Sequence, residues 1–389
     1  MNTLLDSRAS HTLHTLIPTN YYKPPKQQSY NPFQPDTIPI PSHEMAPTTQ
    51  KKWTLSGQDK GFDGLTYGDA AVPKCGENEV LVKLNAASLN YRDLVIPKGM
   101  YPFPLKFPVV AGSDGAGEVL EVGSKVTQWK VGDRVTTLFN QAHQYGPMNI
   151  AASQSGLGGV IDGTLRQYGV FNENGLVRSP KNLTDAESTT LTCAGLTSWN
   201  ALYGMKPLKP GQTVLVQGTG GVSMFALQFA KAAGAIVIAT TSSAEKAETL
   251  KKLGADHVIN YREDANWGQT AKALTVGNVG VDHIIEVGGA GTMEQSMQAI
   301  KFEGIISVIG FLGGAESKTS VIQTLSNICT ARGVYVGSKE MMEDMVAAVE
   351  ANDIHPVVDK TVFGLDQVRE AYDYMWAQKH FGKIAIKIE

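Results

Sequence analysis

At 389 residues the chain exceeds the size of one ordinary hydrophobic core, so two folded domains are expected. A net charge of −3 and a pI near 6.3 give no basic footprint for nucleic acid, and no apolar run approaches the ~20 residues of a membrane-spanning helix. Cys75, Cys193 and Cys329 are widely separated and odd in number, which argues against a disulfide framework and for a soluble cytoplasmic protein.

Residues 1–51 carry Pro18, Pro24, Pro25, Pro32, Pro35, Pro39, Pro41 and Pro47 without apolar periodicity, which predicts a disordered extension. Arg8 with Asp6 beside it is unlike a basic, acid-poor transit peptide, and Met45 is an expected alternative start. From residue 53 to about 180, short runs at 80–84, 112–122 and 131–138, punctuated by glycine and proline, predict a compact β-barrel. Helices within 186–202 lead through Pro210-Gly211 to the stretch on which the chain is organised. There Val214, Leu215 and Val216 read as a fully buried parallel strand, and Gly218, Gly220 and Gly221 allow a sharp turn. A helix follows from Val222, with Phe225, Ala226, Phe229 and Ala230 at helical spacing and Gly234 as its stop.

Strand, glycine turn and helix in that order aim free N–H groups and the positive end of a helix dipole at one point, where a pyrophosphate would be held. Ser223 stands where the usual third glycine would be, so an ordinary glycine turn is the alternative. Its context favours the dinucleotide site: a strand at 235–239, a polar turn, a helix at 244–253 and a strand at 257–261 complete a βαβαβ half. Apolar runs at 281–287 and 304–309, separated by a helix at 293–300, end in glycine loops where ligands lie in open α/β sheets. Residues 333–336 are a candidate last strand. After a helix at 339–350, segments 357–363 and 383–388 return to barrel texture. The expected division is therefore a catalytic domain of residues 52–180 completed by 339–389, interrupted by a nucleotide-binding domain of residues 181–338.

This arrangement resembles the medium-chain dehydrogenase/reductase superfamily. The resemblance runs from about Trp53 to Glu389 and is carried by Leu89-Asn90-Tyr91-Arg92-Asp93, Val109-Val110-Ala111-Gly112-Ser113-Asp114-Gly115, Val131-Gly132-Asp133-Arg134-Val135, Ala194-Gly195-Leu196-Thr197, Leu253-Gly254-Ala255-Asp256 and His380-Phe381-Gly382-Lys383. It implies an α/β fold in which a doubly wound Rossmann sheet is inserted in a GroES-like barrel domain, and a small-molecule substrate. In the metal-dependent members, zinc ligands occupy the positions of Asn90, Ser113 and Cys193. Amide and hydroxyl are poor zinc ligands, and residues 139–171 lack the cysteines of a structural zinc, so no zinc is expected and Cys193 reads as a buried small residue.

Without a Lewis acid, reduction relies on hydrogen bonds and on polarisation already in the substrate, a condition that a conjugated carbonyl meets. Leu89-Asn90 with its aromatic and acid, and Gly99-Met100-Tyr101-Pro102, are similar to zinc-lacking quinone oxidoreductases. The resemblance makes Asn90 a donor to the substrate carbonyl or the nicotinamide ribose, and Tyr91 and Tyr101 either donors or packing residues. Asp93 orients the loop, and Arg92 has no chemical task, sitting at the surface or between domains.

The turn after the second nucleotide-domain strand lacks the acid that NAD-specific sites use. Ser243, Lys246 and Tyr261 match residues that hold the 2′-phosphate in quinone oxidoreductases, so NADPH is favoured over NADH; the alternative is that Ser243 caps the helix and Lys246 is solvated. By resemblance, Gly218, Gly220, Gly221 and Val222 hold the pyrophosphate. Thr197, Val287, Ile309 and Phe311 line the nicotinamide, Lys383 closes over the cofactor, and His380 is a structural partner. The expected activity is zinc-independent, NADPH-dependent reduction of quinones or α,β-unsaturated carbonyls. An alcohol dehydrogenase-like carbonyl reductase and a catalytically silent NADPH-binding protein are the alternatives. Homodimerisation through the edge strand near residues 333–337 is also implied.

Overall fold

Val214, Leu215 and Val216 are wholly buried because both faces of their strand are covered, the situation an unbroken apolar run requires. The computed structural model describes residues 47–310 and 319–389; the expected N-terminal extension, up to residue 46, and Phe311 lie outside the described residues. The chain enters the fold through the antiparallel pair β1 (Thr49–Leu55) and β2 (Leu65–Ala71). Ordered structure thus begins ahead of residue 51, where the sequence predicts disorder. The alternation of β1 explains this: Trp53 and Leu55 are buried, and the Trp53 indole donates to the Leu365 carbonyl at 2.5 Å.

The barrel domain continues with β3 (Glu79–Leu89), β4 (Val109–Val110), β5 (Asp114–Val122), β6 (Arg134–Thr137), β7 (Tyr168–Asn172) and β8 (Leu176–Arg178). A six-stranded parallel sheet follows, from β9 (Thr213–Gln217), β10 (Ile236–Thr241), β11 (His257–Asn260), β12 (Val281–Glu286), β13 (Ile300–Val308) and β14 (Thr330–Gly333). Its order is β11-β10-β9-β12-β13-β14, the doubly wound arrangement in which the order reverses between β9 and β12. The chain then returns to the barrel with β15 (Phe363–Gly364) and β16 (Ile384–Lys387), and β16 pairs antiparallel with β3. The Rossmann sheet is therefore an insertion within the barrel domain.

The helix Gly221–Ala232 buries Met224, Phe225, Leu227 and Phe229, and Gly234 ends it at φ +74°, a conformation that only glycine adopts without strain. The two longest of the helices that escape the sequence pattern are instructive. Trp267–Ala273 buries only Trp267, Gly268 and Ala271, too few large side chains for an apolar period. Val368–Trp376 does show the period in Val368, Ala371 and Tyr372, but the β-branched and aromatic content around it reads as strand. The last strand of the sheet is Thr330–Gly333 rather than 333–336. Val336 sits at φ +53°, outside strand geometry, and its carbonyl accepts from Asn200 at 2.7 Å. Likewise the β-like segment 357–363 contributes only Phe363–Gly364 and an isolated bridge between Val358 and Lys383.

Candidate active site

The glycine turn is built as the sequence implies. Gly218, at φ +72°, donates its N–H to the Thr240 carbonyl at 2.8 Å, and no atom lies within 4 Å of a Cβ placed on Gly218 or Gly220. That leaves open space beside the first N–H groups of the helix that begins at Gly221, with Val222 its second residue. Gly221 is glycine for a different reason. A Cβ there would meet Lys383 Cδ at 2.6 Å and Ala194 Cβ at 3.1 Å. The third glycine is not needed, since the Ser223 side chain points inward and its hydroxyl donates to the Gln217 carbonyl at 2.6 Å. The Gly382 N–H donates to the Thr219 carbonyl at 2.9 Å, which fastens the returning barrel strand to the turn.

At the ends of β10 and β11, the Ser243 hydroxyl caps the helix Ala244–Lys252 by accepting the Lys246 N–H. The Lys246 ammonium donates to the His380 carbonyl at 3.4 Å, and Tyr261 is exposed, its N–H on the Thr241 carbonyl. Burial, and then the nearby Lys246 charge, pull His380 down to about 4, so it is neutral at pH 7. Ser243 and Lys246 thus follow β10 and Tyr261 follows the adjacent β11, and among the described residues the Lys246 ammonium holds one long hydrogen bond.

The loop after β12 rests on a buried carboxylate that sequence reasoning missed. Glu286, without exposed surface, accepts at Oε1 from the N–H groups of Gly288 (3.0 Å) and Gly289 (2.9 Å) and from the Thr292 hydroxyl. At Oε2 it accepts from Gln217 Nε2 (2.8 Å) and Ser296 (2.5 Å). Gln217 Oε1 in turn takes the N–H groups of Val287 and Gly288. The Ile309 N–H donates to the Glu286 carbonyl, and a Cβ on Gly310 would strike the Val287 carbonyl, so the two loops are locked together. Thr197 lies buried on the helix Ala194–Tyr203, which Ser198 ties to Val222 by a 2.7 Å bond. The signal available in sequence was the Gln and Glu ending two central strands, positions where an apolar residue is usual.

Lys383 crosses the glycine turn with its stem, but its ammonium turns into the barrel rather than over the turn. There it donates to Leu89 O (2.5 Å), Asn90 Oδ1 (2.6 Å) and Asp114 Oδ2 (3.1 Å), one acceptor for each proton. Asn90 Nδ2 donates to Ser113 Oγ at 3.2 Å, and Ser113 and Ser88 donate to Asp114. Asn90 and Ser113, two of the three positions singled out for metal ligation, are thus held in a lysine-centred network. Burial pushes the neighbouring Cys193 thiol up to about 12, with Asp114 adding to the shift. Asp93 completes a capping box with Asn90, accepting its N–H at 2.8 Å, while burial pushes its carboxyl up to about 6.

Tyr91 stacks on Trp376, rings parallel within 3°. The Tyr101 and Tyr335 hydroxyls are bonded at 3.0 Å, and Phe103 and Phe139 pack against Tyr335. Tyr335, absent from the sequence reading, comes from the segment after β14; burial and Tyr101 raise its pKa, so it stays a phenol. Of the two placements expected for Arg92, surface or interdomain, the surface one is corrected. Its guanidinium lies 4.9 Å over the Tyr101 ring and 4.8 Å over the Phe139 ring, and Nη1 donates to the Leu157 carbonyl at 2.8 Å. The close glycines of the 156–159 loop admit it.

Comparison with known proteins agrees with this geometry. Residues 76–181 match the alcohol dehydrogenase GroES-like domain, and residues 221–351 match the zinc-binding dehydrogenase family. A zinc-type alcohol dehydrogenase-like protein of Schizosaccharomyces pombe is 50% identical over 345 residues, covering 87% of this chain and 99% of the relative. A solved NAD-dependent alcohol dehydrogenase is 30% identical, with a TM-score of 0.78 over 87% of this chain and 100% of the other. A quinone oxidoreductase of Pseudomonas syringae pv. Tomato is 25% identical, with a TM-score of 0.73 over 87% and 99%. No helix among the described residues is long and apolar enough to cross a membrane. The chain belongs to the medium-chain dehydrogenase/reductase superfamily and is a NAD(P)-dependent oxidoreductase.

Proposed function

We propose that the protein is a zinc-independent, NADPH-dependent reductase of quinones or α,β-unsaturated carbonyls. The observation that carries this is the network of Lys383, Asp114, Asn90 and Ser113. Both functional ends of the Asn90 amide are engaged inside it, and Ser113 both donates and accepts. An amide and a hydroxyl do not fit a zinc site, which takes thiolate, imidazole or carboxylate.

The residues do fit the nucleotide. Gly218, Gly220, Gly221 and Val222 would hold the pyrophosphate at the helix N-terminus; Ser243, Lys246 and Tyr261 would hold the 2′-phosphate; Thr197, Val287 and Ile309 would line the nicotinamide, with Phe311 outside the described residues. When bound, NADPH supplies a hydride. The chain itself supplies proton management. Tyr101 Oη and Tyr335 Oη share a hydrogen bond in which one phenol steadies the other as a donor to a developing enolate oxygen. Asn90 and Tyr91 are the further candidate substrate contacts, and the rings of Phe103 and Phe139 pack against Tyr335.

The names of the relatives support a second reading, an alcohol dehydrogenase-like carbonyl reductase. NADPH oxidation over a panel of quinones, enones, aldehydes and ketones, with product identification, decides between them: hydroquinone formation or loss of an enone C=C supports the first reading, and reduction of aldehyde or ketone C=O alone the second. Lys246→Ala is expected to raise the KM for NADPH about 10–100-fold, the size of a lost charge-assisted phosphate contact, and to leave that for NADH nearly unchanged. Equal effects on both would remove the NADPH assignment.

The exposed edge of β14, with Phe302, Val321, Ile322, Leu325 and Ile328 exposed nearby, supports a homodimer through this face. Sedimentation velocity should give twice 41.8 kDa for the wild type and a single-chain species for Ile322→Glu/Leu325→Glu. A single-chain wild type would refute the dimer.

A further inference from the structure

Beside Tyr101 lies a buried cation, Arg92, that no acid contacts directly among the described residues. Arg92 makes no ion pair among the described residues; its Nη1 is spent on a carbonyl, and its Nε is buried with no acceptor. The adjacent Asp93 attracts it through space but makes no ion pair with it, since Oδ2 takes the Asn90 N–H and Oδ1 is buried without a partner. Nearby, Asn140 is wholly buried, and neither its amide oxygen nor its nitrogen is bonded. The two side chains converge beside Gly156. A Cβ on that glycine would lie 3.5 Å from Arg92 Nη2, 3.6 Å from Asn140 Oδ1 and 3.6 Å from Phe139 Cε1. The group adjoins the candidate active site, because the Tyr101 ring that carries Arg92 also bonds Tyr335.

A clamp on the 156–159 loop explains the Leu157 bond and the two stacked rings. It does not explain an unpaired Nε on Arg92 and an unpaired amide on the neighbouring Asn140, since buried polar groups are ordinarily paired and a buried charge more so. Guanidinium and amide together match a carboxylate: the first donates in a fork, and the second adds an N–H donor. We propose that Arg92 and Asn140 form a carboxylate subsite, so that the favoured substrates are unsaturated carbonyl compounds carrying a carboxylate. The substrate class rests on the reductase reading above; the subsite does not.

Two measurements separate them. In turnover, 4-oxo-2-pentenoate should exceed its methyl ester in kcat/KM by at least ~10-fold, and Arg92→Gln and Asn140→Asp should each abolish that preference. Without turnover, isothermal titration of levulinate into the NADP-saturated protein should show binding that weakens at least ~10-fold in either variant. Asn140→Asp guards against misfolding, because it is isosteric and places an internal anion beside Arg92; its melting temperature should not fall. Levulinate binding lost in Asn140→Asp, with no enone reduced, keeps the subsite and removes the reductase reading. Enone reduction with the ester preferred, or levulinate binding absent or unaltered in Asn140→Asp, overturns the subsite.

Discussion

Replacing Lys383 with methionine is expected to cost about 3–5 kcal/mol of stability, the loss seen when one partner of a buried ion pair is removed. Lys383 and Asp114 are almost wholly buried and 3.1 Å apart, and the ammonium also satisfies the Leu89 carbonyl and the Asn90 amide oxygen. Methionine keeps the stem that packs over Gly221 but leaves Asp114 with only two hydroxyl donors, Ser88 and Ser113. The partner substitution Asp114→Asn removes the uncompensated charge. The double variant should therefore recover a large share of the loss, a coupling that a denaturant-unfolding cycle measures directly. A loss under about 1 kcal/mol for Lys383→Met, or strict additivity, would mean that the pair contributes little to holding the barrel against the turn.

Local geometry was the most legible part of the sequence. The run Val214, Leu215, Val216 followed by Gly218, Gly220 and Gly221 demanded a buried strand, a turn and a helix, and each is present at those residues. Successive strands and helices of the sheet followed from the same alternation of apolar runs and polar turns. Residues whose partners come from distant chain segments were harder to place. By resemblance Lys383 closes over the cofactor, and its hydrogen bonds to Leu89, Asn90 and Asp114, more than 250 residues earlier in the chain, are not readable from its own segment. Arg92 reads as a surface or interdomain cation, and only the approach of Gly156, Gly159 and the Phe139 ring shows that it is enclosed. Tyr335 was hidden because Val336 beside it takes a positive φ, so the strand-like composition of 333–336 gave the wrong backbone. In each case the sequence supplied the chemistry of the side chain, and only the three-dimensional neighbours decided where it is used.

Glu286→Gln should be the most damaging isosteric change in the nucleotide lobe. The carboxylate accepts five hydrogen bonds, two from backbone N–H groups, two from hydroxyls and one from the Gln217 amide. In an amide, one end of the group becomes a donor. If the new NH2 replaces Oε2, it meets Gln217 Nε2, a donor whose own oxygen is committed to the N–H groups of Val287 and Gly288. If it replaces Oε1, it meets two backbone N–H groups that cannot reverse. The hydroxyls of Thr292 and Ser296 can rotate to accept, but the Gln217 amide and the glycine N–H groups cannot both be satisfied. Losing charge-assisted bonds at about 1.5–3 kcal/mol each, with one donor left unpaired, predicts about 2–4 kcal/mol of destabilisation. The loop 287–289 should loosen with it, raising the KM for nucleotide while Lys246 and the phosphate end remain intact. Hydrogen exchange would show this as faster exchange at the Val287, Gly288 and Gly289 amides, against little change in the helix Ala244–Lys252. Unchanged exchange at those amides, or a melting temperature equal to the wild type, would show that the loop is held by backbone packing instead of by the carboxylate.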